Sequence, residues 1–155
     1  MKVEIYEPKT FAAMIRLQDY VTLEQAIVLN DAGYREKTYG VYCFDDESKG
    51  HALMVNIHEA DHNGRMKGMG FSAPTIWEAI EWISANTSIQ FNLIYTNVGY
   101  VGYITAASDT DDELQSVNPG ANWMHDTMHK AAVRALELAI EKLKDEVLRC
   151  MLDNN

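Results

Sequence analysis

Two histidine pairs spaced four residues apart are the side chains in this chain whose types and spacing best suit catalysis. His58-Glu59-Ala60-Asp61-His62 spells H-E-x-x-H. On a helix that pattern sets both imidazoles on one face to hold zinc, with the glutamate beside them as base for a metal-bound water. The context opposes a helix. Leu53-Met54-Val55-Asn56-Ile57 before it reads as a strand, Asn63-Gly64 after it reads as a turn, and Asp61 places a charge where a zinc helix would face its core. The segment is therefore expected to be a solvated polar loop, with a metal-dependent hydrolase using His58, Glu59 and His62 as the alternative. His125 and His129 have the same spacing without a glutamate between them and open a long amphipathic segment. They complete a four-histidine site only if the fold carries them to His58 and His62.

Asp109-Thr110-Asp111-Asp112-Glu113 has the acidic density of a calcium loop but lacks the glycine at position six and the glutamate at position twelve. Gly64-Arg65-Met66-Lys67-Gly68-Met69-Gly70 is more informative. It combines glycines that free backbone amides, two cations, and a helix start a few residues on at Thr75. These are the parts of an anion or phosphate site. Arg65, Lys67, Gly68, Gly70 and Thr75 are thus the candidate ligand-binding residues, although the spacing matches neither the P-loop nor the dinucleotide fingerprint. Tyr100 joins them as an aromatic that can stack a ligand base if it shares a sheet face with Asn92, Ile94 and Thr96. No G-x-S-x-G occurs, and neither Cys43 nor Cys150 sits at an expected helix start, so no nucleophile is assigned. No catalytic residue and no cofactor are expected.

Positioning these groups requires a core. The chain has 155 residues, 47% apolar and 23% charged, which suits one domain over residues 1–155 that buries roughly 70% of its unfolded surface. Thirteen Lys and Arg against twenty-three Asp and Glu give a net charge of −10. That charge repels nucleic-acid phosphates and anionic membranes, so neither is an expected partner, though an acidic decoy of nucleic acid is a further alternative. Two distant cysteines suggest reduced thiols. With no apolar leader and no run approaching a membrane span, a cytoplasmic location is expected.

Thr22-Leu23-Glu24-Gln25 and Thr75-Ile76-Trp77-Glu78 each carry a capping-box pattern. They predict helices from Leu23 to Asp31, stopped by Gly33, and from Ile76 to Ser84, with Ile76, Ala79, Ile80 and Ile83 buried. Strand-like pairs follow each helix: Thr38 to Phe44 with His51 to Ile57, and Gln90 to Thr96 with Tyr100 to Ala106. Reading Asn97-Val98-Gly99 as a three-residue turn with Gly99 at positive φ puts Phe91, Leu93, Tyr95, Val101 and Tyr103 on one face. Thr22, Ala26, Ile27 and Tyr42 recur at an offset of 53 as Thr75, Ala79, Ile80 and Tyr95, which suggests a duplicated helix-hairpin unit. A long helix is predicted from Met124 to Leu152, after an irregular stretch from Ala107 to Asn122. Lys2 to Tyr6 suggests a further strand and Phe11 to Leu17 a short helix. The expected class is α+β, in the order α-β-β-α-β-β-α, with one mainly antiparallel four-stranded sheet covered by helices.

Val21-Thr22-Leu23-Glu24-Gln25-Ala26, Asn30-Asp31-Ala32-Gly33-Tyr34 and Ser72-Ala73-Pro74-Thr75 running into Trp77-Glu78-Ala79-Ile80-Glu81-Trp82, together with the alanine-rich start at Ala131-Ala132-Val133-Arg134-Ala135-Leu136, resemble small accessory proteins of phages, prophages and gut bacteria. The resemblance implies a phage-type accessory product with no catalytic residues. With the cationic glycine-rich run, it leads to the expectation of a non-enzymatic protein that binds a host protein or a small anionic ligand such as a signalling nucleotide. Val133, Leu138 and Leu148 lie off the main apolar stripe of the last helix, and predict a homodimer with that helix in the interface.

Overall fold

The structure, a computed structural model, describes residues 17–47, 49–65, 70–107, 114–116 and 124–153. The expected strand at Lys2 to Tyr6 and nearly all of the expected helix at Phe11 to Leu17 lie outside them; a short 3-10 turn at Leu17–Asp19 is described. The chain divides into two compact units, Met1–Thr75 and Ile76–Asn155.

In the first unit, α1 (Leu23–Asp31) begins where Thr22 accepts a hydrogen bond from the Gln25 amide at 3.3 Å and the Gln25 side chain accepts from the Thr22 amide at 2.9 Å. This reciprocal box satisfies two amides that the first turn leaves open. Gly33, at φ +97°, stops the helix in a conformation L residues avoid. The Tyr34 amide then returns to the Leu29 carbonyl at 2.9 Å. The strands β1 (Thr38–Asp45), β2 (Gly50–Ala60) and, after a four-residue helix α2 (His62–Arg65), β3 (Gly70–Ala73) form an antiparallel sheet in the order β2-β1-β3. α1 packs against β3, and Val21, Ala26, Leu29, Tyr34, Val41, Tyr42, Leu53 and Ala73 are buried. The Tyr42 hydroxyl donates to the Val21 carbonyl at 3.0 Å, and the Val21 amide donates to the Pro74 carbonyl at 3.0 Å. Gly40 lies so near the Ala73 carbonyl and the Tyr20 ring that a Cβ would collide with both.

In the second unit, α3 (Ile76–Asn86) buries Ile76, Ala79, Ile80 and Ile83, as its periodicity predicts. It is followed by β4 (Gln90–Thr96) and β5 (Gly99–Ala107), then β6 (Leu114–Ser116) and β7 (Met124–His125), which both pair with β5. The last helix, α4 (Met128–Asp153), lies against β4 and β5. A Cβ at Gly102 would run into the Ala131 carbonyl, so the absence of a side chain there is what lets helix and sheet meet.

The α+β class, the antiparallel pairing, the four-stranded sheet and the order of helices and hairpins match the expectation. The membership of the sheets differs. The two hairpins belong to separate sheets, because short segments take up a free edge of each: β3 beside β1, and β6 and β7 beside β5. Strands of two to four residues are too short to show a period-two pattern. The last helix also starts later than expected. Met124 and His125 are held in β7 opposite Val101 and Tyr100, and Thr127 caps the helix by accepting from the Lys130 amide at 3.2 Å. Across that first turn Lys130 hydrogen-bonds Asp126 at 2.8 Å and holds its carboxyl below the usual carboxylate range. Leu138 is buried within the chain, so it cannot serve the interface expected of it. No helix among the described residues is long and apolar enough to cross a membrane.

Two outcomes are expected in thermal denaturation. Gly102→Ala forces α4 away from β5 and costs about 1–3 kcal/mol, read as a lower Tm with an unchanged far-UV spectrum. Burial raises the Tyr42 hydroxyl above its ordinary pKa of 10.0. A folded value above the unfolded one means that stability from the neutral phenol is complete below pH 10.0 and is lost as the pH rises through the folded value. Tyr42→Phe therefore loses about 1 kcal/mol at neutral pH, and its alkaline loss of stability is shallower than that of the parent chain.

Candidate functional site

Within the first unit, the glycine-rich cationic segment is flanked by a buried polar clamp. Asn63, in α2, is buried, and its Nδ2 donates to the Tyr34 carbonyl at 2.9 Å. Its Oδ1 accepts from the Ser72 amide at 2.8 Å, and its own amide donates to the Ser72 hydroxyl at 3.3 Å. Asn63 and Ser72 thus bind each other on both sides of residues 64–71. Ser72 is fixed in turn because β3 pairs with β1, with Ser72 opposite Val41. A buried amide costs stability unless it is hydrogen-bonded. Here every polar group of the asparagine side chain that the clamp uses has a partner, and the ends of the segment are held at a fixed place on the sheet.

The candidate ligand residues distribute along this path. Lys67, Gly68 and the Arg65 side chain lie outside the described residues. Gly70 is buried and opens β3 opposite Cys43. Thr75 bridges to Tyr20 beyond the other end of β3, immediately before α3. Four residues lie between Gly70 and Thr75, and five steps of extended chain span roughly 16 Å at a strand's rise. At that separation one phosphate group cannot meet both. Tyr100 belongs to the second unit, in β5.

The face expected for Tyr100 is corrected by the hairpin register. Thr96 pairs with Gly99, leaving Asn97 and Val98 as a two-residue turn, and Gly99 has the expected positive φ, +154°. The reading with a three-residue turn is one residue longer, and a one-residue slip turns every side chain to the other face. Tyr100 therefore pairs with Tyr95, ring centroids 5.1 Å apart, and shares its face with Phe91, Leu93 and Ile104 instead of Asn92, Ile94 and Thr96. Val101 and Tyr103 fall on the opposite face from Phe91, Leu93 and Tyr95.

The histidine pairs do not share helices. Val55 lies opposite Gly40 and Ala60 opposite Thr38, so residues 56–59 bulge against the single residue Tyr39. His58 is in that part of β2, while His62 starts α2. The expected polar loop is thus a strand end, and the i, i+4 helical geometry that zinc chemistry needs is absent. His125 is in β7 and His129 in α4, which breaks the second pair in the same way. Among the described residues no group of three or more His, Cys, Asp or Glu is placed to hold a metal ion. Asp109 to Glu113 lies outside those residues. Burial pushes the Cys43 thiol up from its ordinary pKa, away from the thiolate a nucleophile requires.

The clamp itself was hidden in the sequence. Asn63 reads as half of an Asn-Gly turn, and Ser72 is assigned to no element. The available signal was a serine flanked by Phe71 and Ala73, a polar side chain inside an apolar triplet just before Pro74. Comparison with protein-family models, curated proteins and solved structures finds no match.

Asn63→Ala leaves the buried Ser72 amide without its acceptor and removes one of two hydrogen bonds to the Tyr34 carbonyl, which keeps the one from Arg35 Nη1 at 2.6 Å. The expected loss is about 2–4 kcal/mol, taking about 1–3 kcal/mol for the amide left unmet and about 1 kcal/mol for the lost bond to the carbonyl. Ser72→Ala, which keeps the Asn63 side chain and both of its hydrogen bonds, is expected to lose less. Urea unfolding of the two variants checks the order.

Proposed function

We propose that this chain is a non-enzymatic, phage-type accessory protein that binds a small anionic ligand, a signalling nucleotide or comparable phosphate ester, on its glycine-rich cationic segment. In this reading Arg65 and Lys67 meet the charge, and backbone amides freed at Gly68 and Gly70 meet phosphate oxygens. Thr75 is reached only by the far end of an elongated ligand. The observation that carries the reading is the Asn63–Ser72 clamp, which ties both ends of a dicationic glycine-rich run to a buried hydrogen-bonded anchor. A segment anchored in this way loses less entropy on closing around a ligand than a free loop does. The net charge of −10 does not oppose it, because distant carboxylates are screened over about 8 Å at physiological salt.

A host protein is the second partner class, favoured by the end of α4. No residue of that helix beyond Leu143 is buried, and Leu148 and Leu152 are 51% and 74% exposed one turn apart. An amphipathic end of this kind suits a hydrophobic groove on another protein.

Differential scanning fluorimetry with mononucleotides and cyclic dinucleotides tests the ligand reading. A bound ligand at a hundred times its Kd stabilises by about 2.7 kcal/mol, so a clear rise in Tm is expected. Arg65→Ala with Lys67→Ala is expected to abolish that rise while leaving the ligand-free Tm unchanged. Shifts indistinguishable from buffer at millimolar ligand refute the reading, as does a shift that survives loss of both cations.

A further inference from the structure

β4 is an outer strand. β5 carries β4 on one side and β6 and β7 on the other, and among the described residues β4 pairs with no strand but β5. In an antiparallel sheet alternate residues turn their N–H and C=O groups away from the neighbour, so β4 offers a row of open backbone groups along its second edge. Natural edge strands are blunted by lysine, proline, bulges or inward charges. Gln90–Thr96, Gln-Phe-Asn-Leu-Ile-Tyr-Thr, contains no charge, no proline and no glycine, and its pairing with β5 runs without a bulge. Ile94 and Tyr95 are 45% and 69% exposed.

We propose that β4 is the seam of a homodimer, pairing antiparallel with β4 of a second copy about a two-fold axis through Leu93. Two features favour a second copy over a foreign strand. The sequence is self-complementary about Leu93: Phe91 of each copy lies opposite Tyr95 of the other, making an aromatic cross-strand pair twice, and Gln90 lies opposite Thr96. The strand is also an uncharged strip on a chain of net charge −10, so two copies meet there without opposing carboxylates. A two-fold contact uses up both edges and closes at two chains. The seam uses residues of the second unit alone, and its test is independent of the ligand reading.

One strand edge falls short of the roughly 800 Å² per partner of a standard interface, so the dimer is weak and is sought at high micromolar concentration. Light scattering is expected to give twice the 17.5 kDa chain mass there, falling to one chain on dilution, with added salt strengthening association by screening like charge. Ile94→Lys with Tyr95→Lys, both at exposed positions, is expected to give a single chain, while Leu148→Glu with Leu152→Glu remains dimeric. Should the lysine variant fail to fold, hydrogen exchange on the parent chain supplies the second readout, as alternate β4 amides gain protection between dilute and concentrated samples. A single-chain mass at every concentration, open-ended growth, a dimer that survives the lysine variant, or unchanged β4 protection overturns the proposal.

Discussion

In the second unit the hairpin of β4 and β5 closes with Thr96 opposite Gly99, and the rest of that unit inherits the register. Pairing from that point places Phe91, Leu93, Tyr95, Tyr100, Gly102 and Ile104 on the face where α4 lies. Gly102 then falls under Ala131, where only hydrogen fits. The close approach lets Ala131, Ala132, Ala135, Leu136 and Ala139 bury completely against a narrow sheet. The small residues at the start of α4 and the glycine in β5 answer one steric demand from two sides. Gly99 answers another, because β7 passes so near that a Cβ there would stand 2.6 Å from the His125 carbonyl.

The first unit depends on a different kind of contact. Its central strand, β1, is flanked by β2 and by β3, and β3 is only four residues long. So short a strand has little apolar surface to hold it in place. Side-chain and main-chain hydrogen bonds supply the rest: Asn63 with Ser72, Val21 with Pro74, and the buried Tyr42 hydroxyl with Val21. Such bonds are individually worth about 1 kcal/mol net, but leaving one unmet inside costs more. They therefore act chiefly as a constraint on which arrangement can form. That constraint holds Asn63 and Ser72, the two residues that flank the glycine-rich segment, against each other.

The proposed binding role joins these two features of the first unit. Cations on an acidic chain attract an anion only over short range, so their value depends on being held where backbone amides can assist. The same short range explains why a strip without charge matters in the second unit. On a surface rich in carboxylates, an uncharged edge with open backbone groups is where another strand meets the least electrostatic opposition.

The sequence by itself determined the elements whose causes are local. Thr22 with Gln25 and Gly33 set the bounds of α1, and the spacing of Ile76, Ala79, Ile80 and Ile83 set the buried face of α3, because caps and helical periodicity act within a few residues. The order of helices and hairpins followed from the same signals. Tertiary structure alone decided what depends on partners distant in the chain. Whether Thr96 closes against Gly99 or Tyr100 changes the hairpin by one residue and reverses both faces, and local propensity does not separate the two. Residues 70–73 and 124–125 became strands only because β1 and β5 had edges to fill, which drew His125 out of the helix its spacing suggested. Asn63 and Ser72 became a buried pair because the sheet brought two polar residues together where each could meet the other's hydrogen-bonding need.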